Sequence, residues 1–302
     1  MPDYLSRTLA AYEQSVHTYE SATKGMIPDV ELDTFMSLLP DPAGPVLDAG
    51  CAFGRDTSLL ASRGLGVTGI DLSEPFLARA RELHPGLDFR GMDVCALDFA
   101  DASFAGVWCQ ATLLHLKDEH VRAALGEFHR VLRPGGALFV SFKEGQGEEE
   151  IVESFSADAV RFFRYQTADR VRGMLEAAGF ADPDVRVVNE LERYGPGHRD
   201  LNWLSAYARS APRFGAGAPA ARPASRATRR QACGVPAHLH RRDLSSGPSS
   251  SAHRTDAHSS GCRTPAALRS PSLRSHRQLG EGLQPAPLRY HPRTPREGGP
   301  HP

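Results

Sequence analysis

Val46-Leu47-Asp48-Ala49-Gly50-Cys51-Ala52-Phe53-Gly54, followed seventeen residues after Gly54 by Asp71, is the stretch whose reading decides the fold. A short apolar run ends in a glycine-bearing turn, and helix-period residues follow at about Asp56–Arg63, stopped by Gly64. Gly66-Val67-Thr68-Gly69-Ile70-Asp71 then reads as a second strand. This is a βαβ unit. A glycine-rich turn lets a ligand approach backbone N–H groups, and an acid ending the next strand can accept two ribose hydroxyl bonds. Both features point to an adenosine-containing ligand. A dinucleotide fingerprint requires Gly-x-Gly-x-x-Gly, whereas from Gly50 the chain reads Gly, Cys, Ala, Phe, Gly, Arg. Two of the three glycine positions fail, so a ligand without a pyrophosphate is favoured.

Working outward, Ser73 is an expected N-cap for a helix over Glu74–Leu83 with Pro75 in its first turn. Leu87–Arg90 reads as a third strand and Phe104–Cys109 as a fourth. Asp118 is expected to cap a helix whose Val121, Leu125, Phe128 and Leu132 form one apolar stripe, ended by a tight turn at Arg133-Pro134-Gly135-Gly136. Ala137–Phe142 is strand-like, Thr167 caps a helix ending at Gly179, and strands are expected at Val185–Asn189 and about Leu201–Ala208. Residues 1–40 read as a helical cover. The expected fold is therefore α/β: a doubly wound, mostly parallel, Rossmann-like sheet.

The net charge of −1 hides a division. Residues 1–209 hold 20 Lys and Arg against 32 acids, whereas residues 210–302 hold 15 Arg, no Lys and 4 acids. The latter segment also carries 13 of the 23 prolines and only two aromatics, Phe214 and Tyr290. Too little apolar surface is present there to offset ordering entropy, so a disordered Arg/Pro/Ser/His-rich tail is expected after a domain spanning 1–209. An out-of-frame reading of GC-rich coding DNA produces the same composition. Cys233, His238, His240, His253, His258 and Cys262 have no established zinc spacing, and no metal is expected. The five cysteines form no CxxC pair, the N-terminus lacks a signal-peptide pattern, and no apolar run approaches a membrane span; a cytoplasmic location is the expectation.

Val-Leu-Asp-Ala-Gly-Cys-Ala-Phe-Gly (46–54), Gly-Ile-Asp-Leu-Ser (69–73), Asp93, Leu-Leu-His-Leu (113–116) and Arg-Val-Leu-Arg-Pro-Gly-Gly (130–136) occur in the order found in the class I S-adenosylmethionine-dependent methyltransferases, which residues 1–209 resemble. The resemblance implies transfer of a methyl group from S-adenosylmethionine. Asp48, Gly50, Cys51, Ala52 and Gly54 would hold the methionine end, Asp71 with Leu72 the ribose, and Asp93 with Val94 the adenine. Gln110 or Ala111 would lie beneath the methionine portion. Ala52 stands where the family usually has glycine; its methyl is expected to narrow the turn without excluding the cofactor, because alanine accepts ordinary strand and helix dihedrals.

His115, following the fourth strand, is the candidate catalytic base, with a packed or hydrogen-bonded histidine beside Leu113, Leu114 and Leu116 as the rival reading. Tyr12, Tyr19, Arg161, Arg164 and Tyr165 are candidate acceptor-pocket residues. Cys109-Gln110-Ala111-Thr112 is neither the Asp/Asn-Pro-Pro-Tyr/Phe of exocyclic-amine enzymes nor a Pro-Cys pair. The acidic domain also repels phosphate backbones, leaving a small molecule as the acceptor and nucleic acid disfavoured. A non-catalytic binding protein on the same fold, and less favourably a nicotinamide-dependent oxidoreductase, are the alternatives.

Overall fold

The structure is a computed structural model, and it describes residues 1–152 and 159–212. The expected tail, its six Cys and His residues and the out-of-frame reading therefore lie outside the described residues, apart from residues 210–212.

Three helices open the chain: α1 (Asp3–Glu13), α2 (Val16–Thr23) and α3 (Asp29–Leu38). Then β1 (Val46–Ala49), α4 (Arg55–Ser62), β2 (Val67–Asp71), α5 (Glu74–Leu83), β3 (Asp88–Gly91) and β4 (Phe104–Cys109) follow in alternation. The second half holds α6 (Asp118–Val131), β5 (Leu132–Lys143), β6 (Glu148–Val152), β7 (Val160–Arg164), α7 (Ala168–Ala177), β8 (Phe180–Asn189), α8 (Glu190–Tyr194) and β9 (Asn202–Ser210).

Seven strands form one sheet in the order β3-β2-β1-β4-β5-β9-β8. The first five are mutually parallel, and β9 enters antiparallel to both β5 and β8. Every residue of β1 and β4 is buried, as a parallel sheet covered on both faces requires. The pleat divides their side chains between two cores. Leu47, Val107, Leu138 and Val140 join α6 and α7 on one face, while Val46, Trp108 and Phe139 meet Leu32 and Phe35 of α3 and Leu60 of α4 on the other. Gly106 lets α3 close onto the sheet, since a Cβ there would stand 2.6 Å from the Phe35 ring.

Several sequence expectations are met at atomic detail. Ser73 Oγ accepts the Phe76 N–H at 3.3 Å and Thr167 Oγ1 accepts that of Arg170 at 3.4 Å. Val121, Leu125 and Phe128 form the buried stripe of α6.

Other expectations are corrected. Lys117, not Asp118, is the N-cap of α6, because the Asp118 carboxylate is taken by Arg164, Gln166 and Arg170. Arg133–Gly136 is not a separate turn: Leu132 already pairs with Phe104, and β5 absorbs the segment through an irregularity in the ladder. The β6/β7 hairpin and α8 were not expected. The described fold also passes Arg209, with Ser210 buried in β9 and Ala211 N–H donating to Gly179 O at 3.1 Å.

The hairpin positions the N-terminal cover. Thr8 Oγ1 on α1 accepts the Phe162 N–H at 2.9 Å, and the Tyr4 and Phe162 rings pack at 4.6 Å.

Candidate functional site

The site lies at the C-terminal edge of the parallel strands, where open α/β sheets bind ligands. Gly50 (φ +84°) turns the chain sharply after β1, and a Cβ there would fall 2.0 Å from Thr112 Oγ1. Glycine is what allows this close approach of two strand ends. The N–H groups of Gly50 and Cys51 both donate to Ile70 O, at 2.8 and 2.9 Å. The Asp71 carboxylate then ties the turn to β2, accepting Ala52 N–H on Oδ2 and Ser73 N–H on Oδ1, each at 2.9 Å. Burial raises the pKa of Asp71 despite these backbone bonds.

Ala52 has φ +46°, so the expectation of ordinary dihedrals is wrong at this position. It occupies the left-handed region, where a Cβ is strained and glycine is relaxed.

One cleft gathers Gly50, Ala52, Asp71, Leu72, Asp93, Val94 and Gln110 with Tyr12, Tyr19 and His115. It encloses about 840 Å³ of space, part of it open to solvent. Asp93 Oδ1 accepts the Cys95 N–H at 2.8 Å, shaping the loop after β3. Gln110 Oε1 is buried without a hydrogen-bond partner, an acceptor placed for a donor that the protein does not supply.

Three residues expected on the cofactor, Asp48, Cys51 and Gly54, are not among those that line the cleft. Asp48 points beneath the turn, where its Oδ2 accepts from Thr57 Oγ1 at 2.6 Å. Burial and the neighbouring Asp56 carboxylate push its pKa up to about 8. Cys51 is buried in the cluster with Leu77 and Phe89, and Gly54 (φ +83°) is the N-cap of α4. They shape the turn without lining the cleft.

The acceptor candidates also divide. Tyr12 and Tyr19 line the cleft, whereas Arg161, Arg164 and Tyr165 do not. Arg164 binds Asp118, Tyr165 binds Glu149, and the buried Arg161 stacks its guanidinium 3.9 Å from the centre of the Tyr12 ring. The cleft also uses Leu116 and, not singled out in the sequence, Leu5, Thr8, Leu9, Phe76 and Met92. For Leu5, Thr8 and Leu9 a signal was available in α1, where with Tyr12 they share one helical face.

His115 is 8% exposed, and both of its nitrogens are engaged. Nδ1 lies 2.7 Å from Phe162 O and Nε2 lies 2.8 Å from Tyr12 Oη. A carbonyl only accepts, so the proton of the neutral ring is on Nδ1 and Tyr12 donates to Nε2. Burial lowers the His115 pKa to about 3; the Phe162 bond opposes this, and the charges of Lys143 and Arg161 reinforce it. The histidine is therefore packed and hydrogen-bonded, as the rival reading has it, while still bordering the cleft.

Residues 46–136 match the family described as "Methyltransferase domain". An O-methyltransferase of Pyrenophora dematioidea is 29% identical over 182 residues, covering 56% of this chain and 64% of that protein. The 2-methyl-6-phytyl-1,4-hydroquinone methyltransferase of Synechocystis sp. is 36% identical over 118 residues, covering 38% of this chain and 36% of its own. The chain thus spans between about a third and two thirds of the length of these relatives. Among solved structures, the Burkholderia thailandensis 1,6-didemethyltoxoflavin-N1-methyltransferase, bound to 1,6-didemethyltoxoflavin and S-adenosylhomocysteine, has the same fold with a TM-score of 0.52 at 23% identity, over 70% of this chain and 90% of that one. In matched segment and strand order the chain is similar to the class I S-adenosylmethionine-dependent methyltransferases, and the matched segment carries Gly50, Ala52, Asp71, Asp93 and Gln110 of the cleft.

Proposed function

We propose that the protein transfers a methyl group from S-adenosylmethionine to a small-molecule acceptor. The observation that carries this reading is the single cleft in which the Gly50–Ala52 turn, Asp71, Asp93 and Gln110 meet the Tyr12–His115 pair. The residues present fit the cofactor: the Gly50–Ala52 turn and Asp71 line the cleft, and the orphaned Gln110 Oε1 calls for an outside donor. Asp71 would hold the ribose hydroxyls, Asp93 and Val94 the adenine, and Gly50, Ala52 and Gln110 the methionine end. When bound, the cofactor supplies a methyl on a sulfonium with a neutral thioether as leaving group.

The protein's own contribution is placement and exclusion of water. α1 and α2 cover the cleft, and Tyr12, its hydrogen directed to His115, accepts a hydrogen bond from the nucleophile and aligns it. Burial disfavours a positive charge on the His115 imidazole, which makes it a poor acceptor for the departing proton. His115 accordingly acts as the residue that orients Tyr12, which revises its expected role as the base.

No helix among the described residues is long and apolar enough to cross a membrane. The free Cys51, Cys95 and Cys109 support a cytoplasmic location. Calorimetry with S-adenosylmethionine, S-adenosylhomocysteine and NAD tests the proposal. Binding of the first two, with no heat from NAD, is expected; binding of NAD alone would return the oxidoreductase reading, and binding of none would overturn the cofactor assignment.

A further inference from the structure

Resting on the methyl-transfer reading, we propose that Ser141, a buried residue of β5, is a positioning residue for the methionine end of the cofactor, which it reaches by holding the strained turn at Ala111.

The turns that follow β1 and β4 are built alike. Each carries an alanine in the left-handed region, Ala52 at φ +46° and Ala111 at φ +53°, and both alanines line the cleft. Each of these amides donates to a side chain on the neighbouring strand outward: Ala52 to Asp71 Oδ2 of β2, Ala111 to Ser141 Oγ of β5 at 2.8 Å. A left-handed alanine is strained, and such a conformation persists only where its surroundings hold it. At Ala111 the hold comes from Ser141, which is 3% exposed on a strand flanked by β4 and β9.

The two turns meet at the switch point of the sheet. The chain winds outward from β1 through β2 to β3, then crosses to β4 on the other side of β1, and a crevice opens between the two diverging strand ends. There Thr112 Oγ1 lies 3.3 Å from Ala49 O and 3.1 Å from Gln110 O, and it fills the space that a Cβ on Gly50 would need. The dihedrals of Ala111 therefore set two things together. One is the direction of Gln110, whose Oε1 is buried without a hydrogen-bond partner; the other is the seat of Thr112 against the β1 turn. Gln110 and Gly50 belong to the methionine end. Asp71 and Asp93, at the ribose and adenine, are fastened by the Ser73 and Cys95 amides instead.

Without the Ser141 hydroxyl the Ala111 N–H loses its acceptor, and the turn relaxes out of the left-handed region. The methionine end then loosens while the nucleoside end keeps its supports. Glycine at position 111 adopts the same dihedrals without strain, so it removes the need for the hold.

Calorimetry on the full-length protein reads the two ends with two probes, S-adenosylhomocysteine and 5′-methylthioadenosine, the second of which lacks the amino-acid end. Failure of the parent protein to bind S-adenosylhomocysteine is failure of the cofactor reading, and this inference falls with it. Given that binding, Ser141→Ala is expected to weaken S-adenosylhomocysteine at least about tenfold and 5′-methylthioadenosine by less than about threefold. Combining it with Ala111→Gly should return S-adenosylhomocysteine affinity to within about threefold of the parent. Unchanged affinity in a folded Ser141→Ala, an equal loss of both probes, or an undiminished loss in the glycine background overturns the proposal. If Ser141→Ala does not fold, hydrogen exchange in the cofactor-free parent decides. The Ala111 amide should exchange at least about a hundredfold more slowly than in an unstructured chain, and unprotected exchange overturns the hold.

Discussion

The Ala52 amide donates to Asp71 Oδ2 across 2.9 Å, so the end of β2 fixes the shape of the turn that follows β1. Asp71 is thereby both a wall of the cleft and a strut of the fold.

Asp71→Ala should therefore lose on two counts. Two backbone N–H groups lose their acceptor, at a cost of about 2 kcal/mol of stability, and cofactor affinity should fall at least about tenfold. Asp71→Asn keeps an acceptor oxygen and should recover most of the stability but not the affinity. Thermal melts beside calorimetry separate the effects, and full affinity in either folded variant would remove the ribose assignment.

Ala52→Gly relieves a positive φ of +46°. Release of the strained Cβ should outweigh the added chain entropy and stabilise the protein by up to about 1 kcal/mol, with cofactor affinity equal or higher. A lower midpoint would mean that the alanine methyl contributes packing that exceeds its strain.

His115 makes stability depend on acid. Its pKa is about 3 in the fold against about 6.5 in an unfolded chain. The unfolded state thus binds a proton that the native state refuses; stability from this residue is complete above about pH 6.5 and falls as pH drops toward 3. Denaturant melts at pH 7 and pH 5 should show a smaller loss on acidification for His115→Asn than for the parent protein. Identical losses would place the titrating group elsewhere.

Tyr12 and His115 should behave as one unit. If the imidazole acts by orienting the phenol, Tyr12→Phe and His115→Asn each lower kcat, and the double variant is little worse than either single one. Independent, multiplying losses would show two separate roles.

A chain ending at Pro212 retains every described strand. It should unfold cooperatively near the midpoint of the full chain and bind the cofactor equally well, because residues 213–302 have too few large apolar side chains to complete a core. Aggregation, or loss of binding, would assign them a structural task.

Local chemistry made much of the site legible in the sequence. Ser73 and Thr167 cap because a short hydroxyl before a helix meets the donors of its first turn, and Gly50 and Asp71 are set by the strand ends on which they lie. Side-chain direction was not legible. Asp48, Arg161 and Arg164 belong to segments near the cleft, yet Thr57, Tyr12 and Asp118 draw them away from it.

The sequence by itself therefore determined the alternating α/β order, the parallel sheet and the cofactor edge, because these follow from periodicity and from turn residues acting within a few positions. Only the tertiary structure decided that Ala52 is left-handed, that a hairpin braces the N-terminal cover, and that His115 is held between Phe162 and Tyr12. Each of those depends on partners distant in the chain, and competition among such partners for one charge or one hydrogen bond is settled only once the fold brings them together.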